Sequence, residues 1–317
     1  MGLTLRNPLI VSSSGLTDSI DKIKEASDYG AGAVVLKSIF EEQINYQAGK
    51  MTDGSDYPEA ADYISYYTKT HSLDNYLDLI KEAKKSVDIP VIPSINCVSA
   101  DDWIDFAANI EKAGADALEV NMFFLPLDKS LNADKAETVY YRLVERLRST
   151  LDIPFAVKLG QRFSNLFYLI DQLSNRGADA VVLFNRFFEP DIDINSMNIT
   201  PAAVFSSPDD KRNVLRWIAM ASAFRNRIDI SASTGVHSGE DVIKYLLAGA
   251  DTVQVCSVLY KNGHEYLKDI LSSVEDWMES KNFSSIDEFR AKLDYKNFGD
   301  AKKYQRAQFM KYFSAYE

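Results

Sequence analysis

One turn recurs along this chain where an amphipathic segment gives way to an apolar run: Tyr29-Gly30-Ala31-Gly32-Ala33, Ala113-Gly114-Ala115-Asp116-Ala117, Arg176-Gly177-Ala178-Asp179-Ala180 and Ala248-Gly249-Ala250-Asp251-Thr252. Glycine takes the left-handed position that stops a helix, and the small residues after it let the backbone turn closely into a strand. Asp88-Ile89-Pro90 and Asp152-Ile153-Pro154 mark two further joints, because proline ends a helix and opens a strand. A chain with so many helix-to-strand joints is an alternating α/β protein.

The runs themselves are Leu9 to Ser12, Ala33 to Lys37, Val91 to Ile95, Ala117 to Asn121, Phe155 to Lys158, Ala180 to Phe184, Ile228 to Ala232 and Thr252 to Val255. Most are continuously apolar, as strands are when helices cover one face and a barrel core fills the other. Helical patterns lie between them at Ser19 to Tyr29, Leu73 to Val87, Ala100 to Ala113, Asp134 to Thr150, Ser164 to Arg176, Lys211 to Phe224 and Gly239 to Ala248. The expected fold is a (β/α)8 TIM barrel with extra C-terminal helices from Gly263 onward. At 317 residues one domain suffices, so residues 1–317 are expected to form a single barrel domain with 263–317 as a helical extension.

Charge and cysteine content narrow the function. A formal net charge of −11, with no basic run, makes nucleic acid a poor partner. No secretory h-region and no long apolar stretch occur, so the expectation is a cytoplasmic protein without a membrane span. Cys97 and Cys256 are too few for a disulfide framework or an internal iron–sulfur centre, and His71, His237 and His264 form no ligand pair, so no metal is expected.

In a TIM barrel the loops after the strands carry the chemistry, with a phosphate site after strands seven and eight. Here those loops read Thr234-Gly235-Val236 and Cys256-Ser257. Lys37 and Lys158 end strands two and five as the polar stop of an apolar run. Lysine is seldom buried without a partner, so the two point either to an anion between them or to a nearby carboxylate or solvent. Asn121 and Asn185 end strands four and six, where each either binds a planar polar ligand or ties down a loop. The connections 38 to 72 and 185 to 210 are longer than usual and rich in aromatic residues, and they either lid a pocket or pack on its rim.

Taken in order with Asn7-Pro8-Leu9-Ile10, Ser12-Ser13-Ser14-Gly15, Lys37-Ser38, Val157-Lys158-Leu159 and Gln254-Val255-Cys256-Ser257, these residues resemble the class 1 dihydroorotate dehydrogenase family over about residues 3 to 262. The resemblance implies an FMN-dependent oxidoreductase acting on CH–CH groups in pyrimidine biosynthesis, passing hydride from a small substrate to flavin N5. It implies a homodimer. Ser13, Ser14 and Gly15 would lie beside the flavin, with Lys37 and Ser38 at the isoalloxazine edge. Asn121 and Asn185 would face flavin and substrate, and Lys158 would sit near flavin N1 and O2. Thr234, Gly235, Val236, Cys256 and Ser257 would hold the phosphate.

The sequence departs from the family's substrate site. Asn121-Met122-Phe123-Phe124-Leu125-Pro126 puts Phe124 where the family's Cys or Ser base stands and Pro126 where an Asn stands, and Met51 to Pro58 lacks the family's substrate loop. Arg186 follows Asn185 and either pairs with a substrate carboxylate or forms a surface salt bridge. Cys97, at the end of strand three, is a candidate replacement base, against the commoner reading of a small buried hydrophobe. Tyrosines of the 38 to 72 connection are a second source. Two alternatives therefore stay open: a catalytically inactive flavin-binding protein, and a sugar-phosphate-binding barrel enzyme without flavin that uses Lys37 or Lys158.

Overall fold

The computed structural model describes residues 1–40, 58–96, 101–122, 124–187, 189–297, 299 and 302–305. The parallel ring is built from β1 (Leu9–Val11), β2 (Ala33–Val35) with its continuation β3 (Ile39–Phe40), β4 (Val91–Ile92) with its continuation β5 (Ser94–Asn96), β6 (Leu118–Asn121), β7 (Phe155–Leu159) and β8 (Ala180–Leu183). After β9 (Pro190–Asp193) and β10 (Asn198–Pro201), which lie outside it, β11 (Asp229–Ser233) and β12 (Thr252–Val255) complete the ring. β1 pairs with β12 on one side and β2 on the other; β2 pairs with β4, β3 with β5, and β5 through β12 follow in chain order. Only Pro93 separates β4 from β5, so the two are one strand interrupted where proline has no N–H to give the ladder, and through it the sheet closes into the expected (β/α)8 barrel.

All eight expected strands are present, and the reason they read as apolar is visible in their burial. β1, β2, β7 and β8 are buried at every position. Outward-facing Leu118 and Val120 join the core shared with the helices. Inward-facing Ile10, Val35, Ile92, Ala156, Ala180 and Val182 fill the barrel instead. The inward set also carries Glu119 and Asn121, two residues apart and hence on the same face of β6.

Seven helices follow their strands around the outside: α1 (Ile20–Asp28), α2 (Pro58–Ser86), α3 (Asp101–Lys112), α4 (Ala133–Thr150), α5 (Leu166–Asn175), α6 (Lys211–Ala221) and α7 (Gly239–Ala248). α4 buries Tyr140, Leu143, Val144 and Leu147, a stripe at helical spacing, and the Asn132 side chain caps it by accepting from the Lys135 N–H. α5 repeats this device with Asn165 over Tyr168 and buries Leu166, Leu169, Ile170 and Leu173. Beyond β12 come α8 (Ser257–Asn262), α9 (Tyr266–Ser280) and α10 (Lys302–Gln305). α9 packs on α7 so tightly that a Cβ at Gly239 would lie 2.6 Å from Ser273. The expected C-terminal helices are thus joined to the barrel wall.

Two features depart from the sequence expectation. α2 begins at Pro58 rather than Leu73; proline suits a first helical position because its missing N–H has no acceptor there. The connection from 185 to 210, for which no strands were expected, contains an antiparallel hairpin in which Ile192 stands opposite Ile199 and Asp193 opposite Asn198. No helix among the described residues is long and apolar enough to cross a membrane.

Candidate active site

Lys158 on β7 stands beside Asn121 on β6 in the ladder register. Its ammonium is drawn into the barrel mouth by three acceptors, donating to Gln254 Oε1 at 3.0 Å, Ser12 Oγ at 3.1 Å and Glu119 Oε1 at 3.2 Å. The Gln254 amide donates to the other Glu119 oxygen at 2.7 Å, and the Ser12 hydroxyl donates to Gln254 Oε1 at 3.0 Å. The lysine and glutamate side chains are 6% and 2% exposed, so four barrel strands jointly bury one ion pair with its polar groups satisfied.

Around this network the other strand ends converge. The Asn185 amide donates to Asn121 Oδ1 at 2.8 Å, linking the ends of strands four and six. Ser13 and Ser38 share a hydroxyl–hydroxyl hydrogen bond of 2.9 Å, and Ser38 continues to the buried Ser94 hydroxyl at 2.7 Å. The Ser38 N–H also donates to Ser13 Oγ, so the β1 and β2 ends are tied together. Ser14 turns back to the Ser12 carbonyl, and a Cβ on Gly15 would lie 2.8 Å from the Tyr260 hydroxyl.

The loops after strands seven and eight form one wall. Thr234 and Gly235 both have positive φ, 81° and 77°. For threonine this is strained backbone, held in place as Thr234 Oγ1 donates to the Phe184 carbonyl and the Tyr245 hydroxyl donates to the Thr234 carbonyl. At Gly235 a Cβ would fall 2.3 Å from the Lys211 backbone nitrogen, so only glycine fits. Among the described residues, the backbone N–H groups of Gly235, Val236 and Ser257 have no intramolecular acceptor. Ser257 Oγ accepts from the Ser206 N–H at 3.0 Å, and Ser206 Oγ meets His237 Nε2 at 3.2 Å. Burial, followed by the Lys261 charge, lowers the His237 pKa. Burial raises the Asp241 carboxyl, but its hydrogen bonds from Lys211 and the His237 N–H outweigh that and leave it below the ordinary carboxylate value.

These walls enclose a cavity of about 540 Å³ lined by Ser12, Ser13, Lys158, Asn185, Thr234 to Val236, Gln254, Cys256 and Ser257, with Phe205 and Tyr260 at its side. Their rings meet with centroids 5.3 Å apart. A second cavity of about 960 Å³ shares the Asn185–Phe187 wall and is bounded by Phe124, Leu125, Pro126, Tyr140 and Phe163.

A family model described as dihydroorotate dehydrogenase matches residues 1–278. The chain belongs to the dihydroorotate dehydrogenase family. It is 28% identical to the dihydroorotate dehydrogenase B (NAD(+)) catalytic subunit of Thermoplasma acidophilum, across 90% of this chain and 94% of that protein. It is equally similar, at 28%, to the protein of the same name from Pyrococcus furiosus, across 90% and 95%. The chloroplastic dihydropyrimidine dehydrogenase (NADP(+)) of Arabidopsis thaliana is 23% identical across 91% of this chain and 74% of its own length. Membership of the dihydroorotate dehydrogenase family makes the chain a dihydroorotate dehydrogenase-like oxidoreductase.

The residues singled out through the resemblance to dihydroorotate dehydrogenases do not all meet in one place. Ser13, Lys158, Asn185, Thr234, Gly235, Val236, Cys256 and Ser257 share the 540 Å³ cavity, with Asn121 bonded to one of its walls. Lys37 is exposed at the end of β2 and does not line that cavity, while its neighbour Ser38 is buried. Arg186 lines both cavities, but its guanidinium is already paired with Asp210 at 3.0 Å and Glu189 at 3.2 Å and donates to the Ala203 carbonyl at 2.6 Å. Through these contacts Arg186 ties the hairpin's base to the 203–210 segment. Phe124 is half-buried on the wall of the larger cavity. Cys97, Met51 to Tyr57 and the side chains of Tyr63, Tyr66 and Tyr67 lie outside the described residues.

Sequence reading missed Glu119, Gln254 and Ser206 as site residues. Glu119 left one signal, a carboxylate inside an otherwise apolar strand with the same parity as Asn121. Ser206 left none, because the segment that brings it to Ser257 has no regular pattern.

Proposed function

We propose that this chain is an FMN-dependent oxidoreductase in which hydride passes from a small CH–CH substrate to flavin N5, and that its substrate differs from dihydroorotate. The observation that carries the reading is the convergence of Lys158, the Asn121–Asn185 pair, Ser13 and the two strand-end loops on one cavity of about 540 Å³, within the range of small-molecule sites. The residues present fit FMN: a fixed ammonium charge and side-chain amides for a planar polar ring, and N–H groups at Gly235, Val236 and Ser257 for a phosphate. FMN, when bound, supplies the hydride acceptor. Lys158 supplies fixed positive charge at the cavity floor, preorganised by its three acceptors. Asn185 orients ligands through an amide held by Asn121, and Thr234 shapes the wall through its strained backbone.

CH–CH oxidation also releases a proton, and Phe124, at the family's base position, accepts none. Cys256 is a poor substitute, because burial pushes its thiol pKa up. General base catalysis contributes about 10²–10⁴-fold, so dihydroorotate should reduce the flavin more slowly by that order than it does in a family member carrying Cys or Ser there. Anaerobic mixing of reconstituted protein with dihydroorotate, followed at the flavin absorbance band, tests this: the colour should persist over seconds to minutes. Rapid bleaching would contradict a changed substrate and place the base elsewhere. A single barrel unit over 1–317, a cytoplasmic setting and a homodimer complete the proposal.

A further inference from the structure

Lys158 and Glu119 are one ion pair divided between two chambers. Lys158 lines the 540 Å³ cavity and Glu119 does not. Glu119 lines a separate small cavity of about 70 Å³ on the other side, together with Leu3, Ile10, Ile92 and Ala156, and Lys158 does not line that one. Gln254 lines both and touches both partners. An ammonium has three N–H donors, and here all three have protein acceptors, Ser12, Glu119 and Gln254. Lys158 is therefore a fixed charge rather than a mobile donor.

We infer that Glu119 is a positioning residue that anchors Lys158 from below and, as its counter-charge, lowers the electron affinity of whatever ring the cavity holds. The inference rests on the FMN reading above. Two-electron reduction adds negative charge to a flavin, and a carboxylate buried behind the lysine opposes that gain, because charges in a water-poor interior are weakly screened. Gln254 completes the device. As an amide it gives its oxygen to Lys158 and its N–H to Glu119, which a carboxylate at that position cannot do at once.

The test is the midpoint potential of FMN bound to the full-length protein, measured spectroelectrochemically for the wild type, Glu119→Gln and Gln254→Glu. Glu119→Gln removes the counter-charge and should favour the reduced flavin at least about tenfold, about 30 mV upward for a two-electron couple. Gln254→Glu puts a second carboxyl in contact with Glu119, so the two share one proton at neutral pH, and the potential should fall below that of the wild type at the same pH only as pH rises and that proton is lost. It also carries the test alone if Glu119→Gln does not fold. A merely structural role predicts no opposed pair of shifts, so potentials unchanged at every pH, or shifts of the same sign, overturn the inference while FMN binding stands. A wild-type protein that retains no FMN overturns the flavin reading and this inference with it.

Discussion

Lys158 and Glu119 show how far a single residue's behaviour depends on its partner. Each alone would be a desolvated charge; together, with Gln254 and Ser12 filling the remaining hydrogen bonds, they are tolerable in the barrel mouth. Lys158→Met leaves Glu119 buried and unpaired and should cost about 3–5 kcal/mol of stability. Lys158→Met combined with Glu119→Leu should recover much of that loss, and urea unfolding of the wild type and both variants decides it. His237 offers a second residue-level consequence. Burial first, then Lys261, depresses its folded pKa below the ordinary 6.5, so the unfolded chain takes up the proton first. Stability should fall as pH drops below about 6.5, and thermal midpoints between pH 7.5 and 5 should fall less steeply for His237→Asn. The Asp241 contribution lies in a separate, more acidic window, because its depressed carboxyl keeps its charge well below that range.

Among the elements, the barrel strands were the most legible, since burial on both faces wrote them as uninterrupted apolar runs bounded by glycine turns and prolines. The helices α4 and α5 were equally legible through their capping asparagines and buried stripes. The hairpin β9–β10 was not: its strands alternate Asp191 and Asp193 with Ile192, and so short a two-faced pattern inside a polar connection does not stand out from a loop. The site divided in the same way. Lys158, Asn121 and Asn185 announce themselves as polar ends of apolar strands, whereas Ser206 reaches Ser257 only through tertiary geometry. Arg186 had two readings in the sequence, and its ion pairs with Asp210 and Glu189 are visible only once the chain is folded. The strand-seven loop yields the sharpest element-level prediction. Gly235→Ala places a methyl against the Lys211 backbone in a left-handed conformation, and should cost about 2 kcal/mol or more in stability. It should also weaken FMN retention, whereas the equivalent change at Gly114, whose Cβ would meet nothing within 4 Å, incurs only the cost of its positive φ. Chemical denaturation and flavin release measured side by side separate the two.

At the scale of the molecule, a closed barrel gathers groups from strands one, four, five, six, seven and eight onto one rim, which is why residues far apart in sequence act as a site. The hairpin stands apart from that rim's polar character. Ile192 and Ile199, 68% and 74% exposed, stand opposite one another on one face of the hairpin, with Ile194 and Met197, 82% and 86% exposed, in its turn and Asp191, Asp193, Asn198 and Thr200 on the other face. A two-stranded hairpin is marginal alone, and an uncharged apolar face is complementary to its own copy in a two-fold dimer. Sedimentation should therefore give twice the mass of a 35.7 kDa chain, reverting to one mass for an Ile192→Lys, Ile199→Lys variant. A monomeric wild type would remove the homodimer from the proposal. The flavin itself is the most direct question. Titrating FMN-free protein with FMN and following the quenching of flavin fluorescence should give saturable binding at one FMN per chain, weakened in Gly235→Ala; fluorescence unaltered at any protein concentration would contradict the assignment of the 540 Å³ cavity.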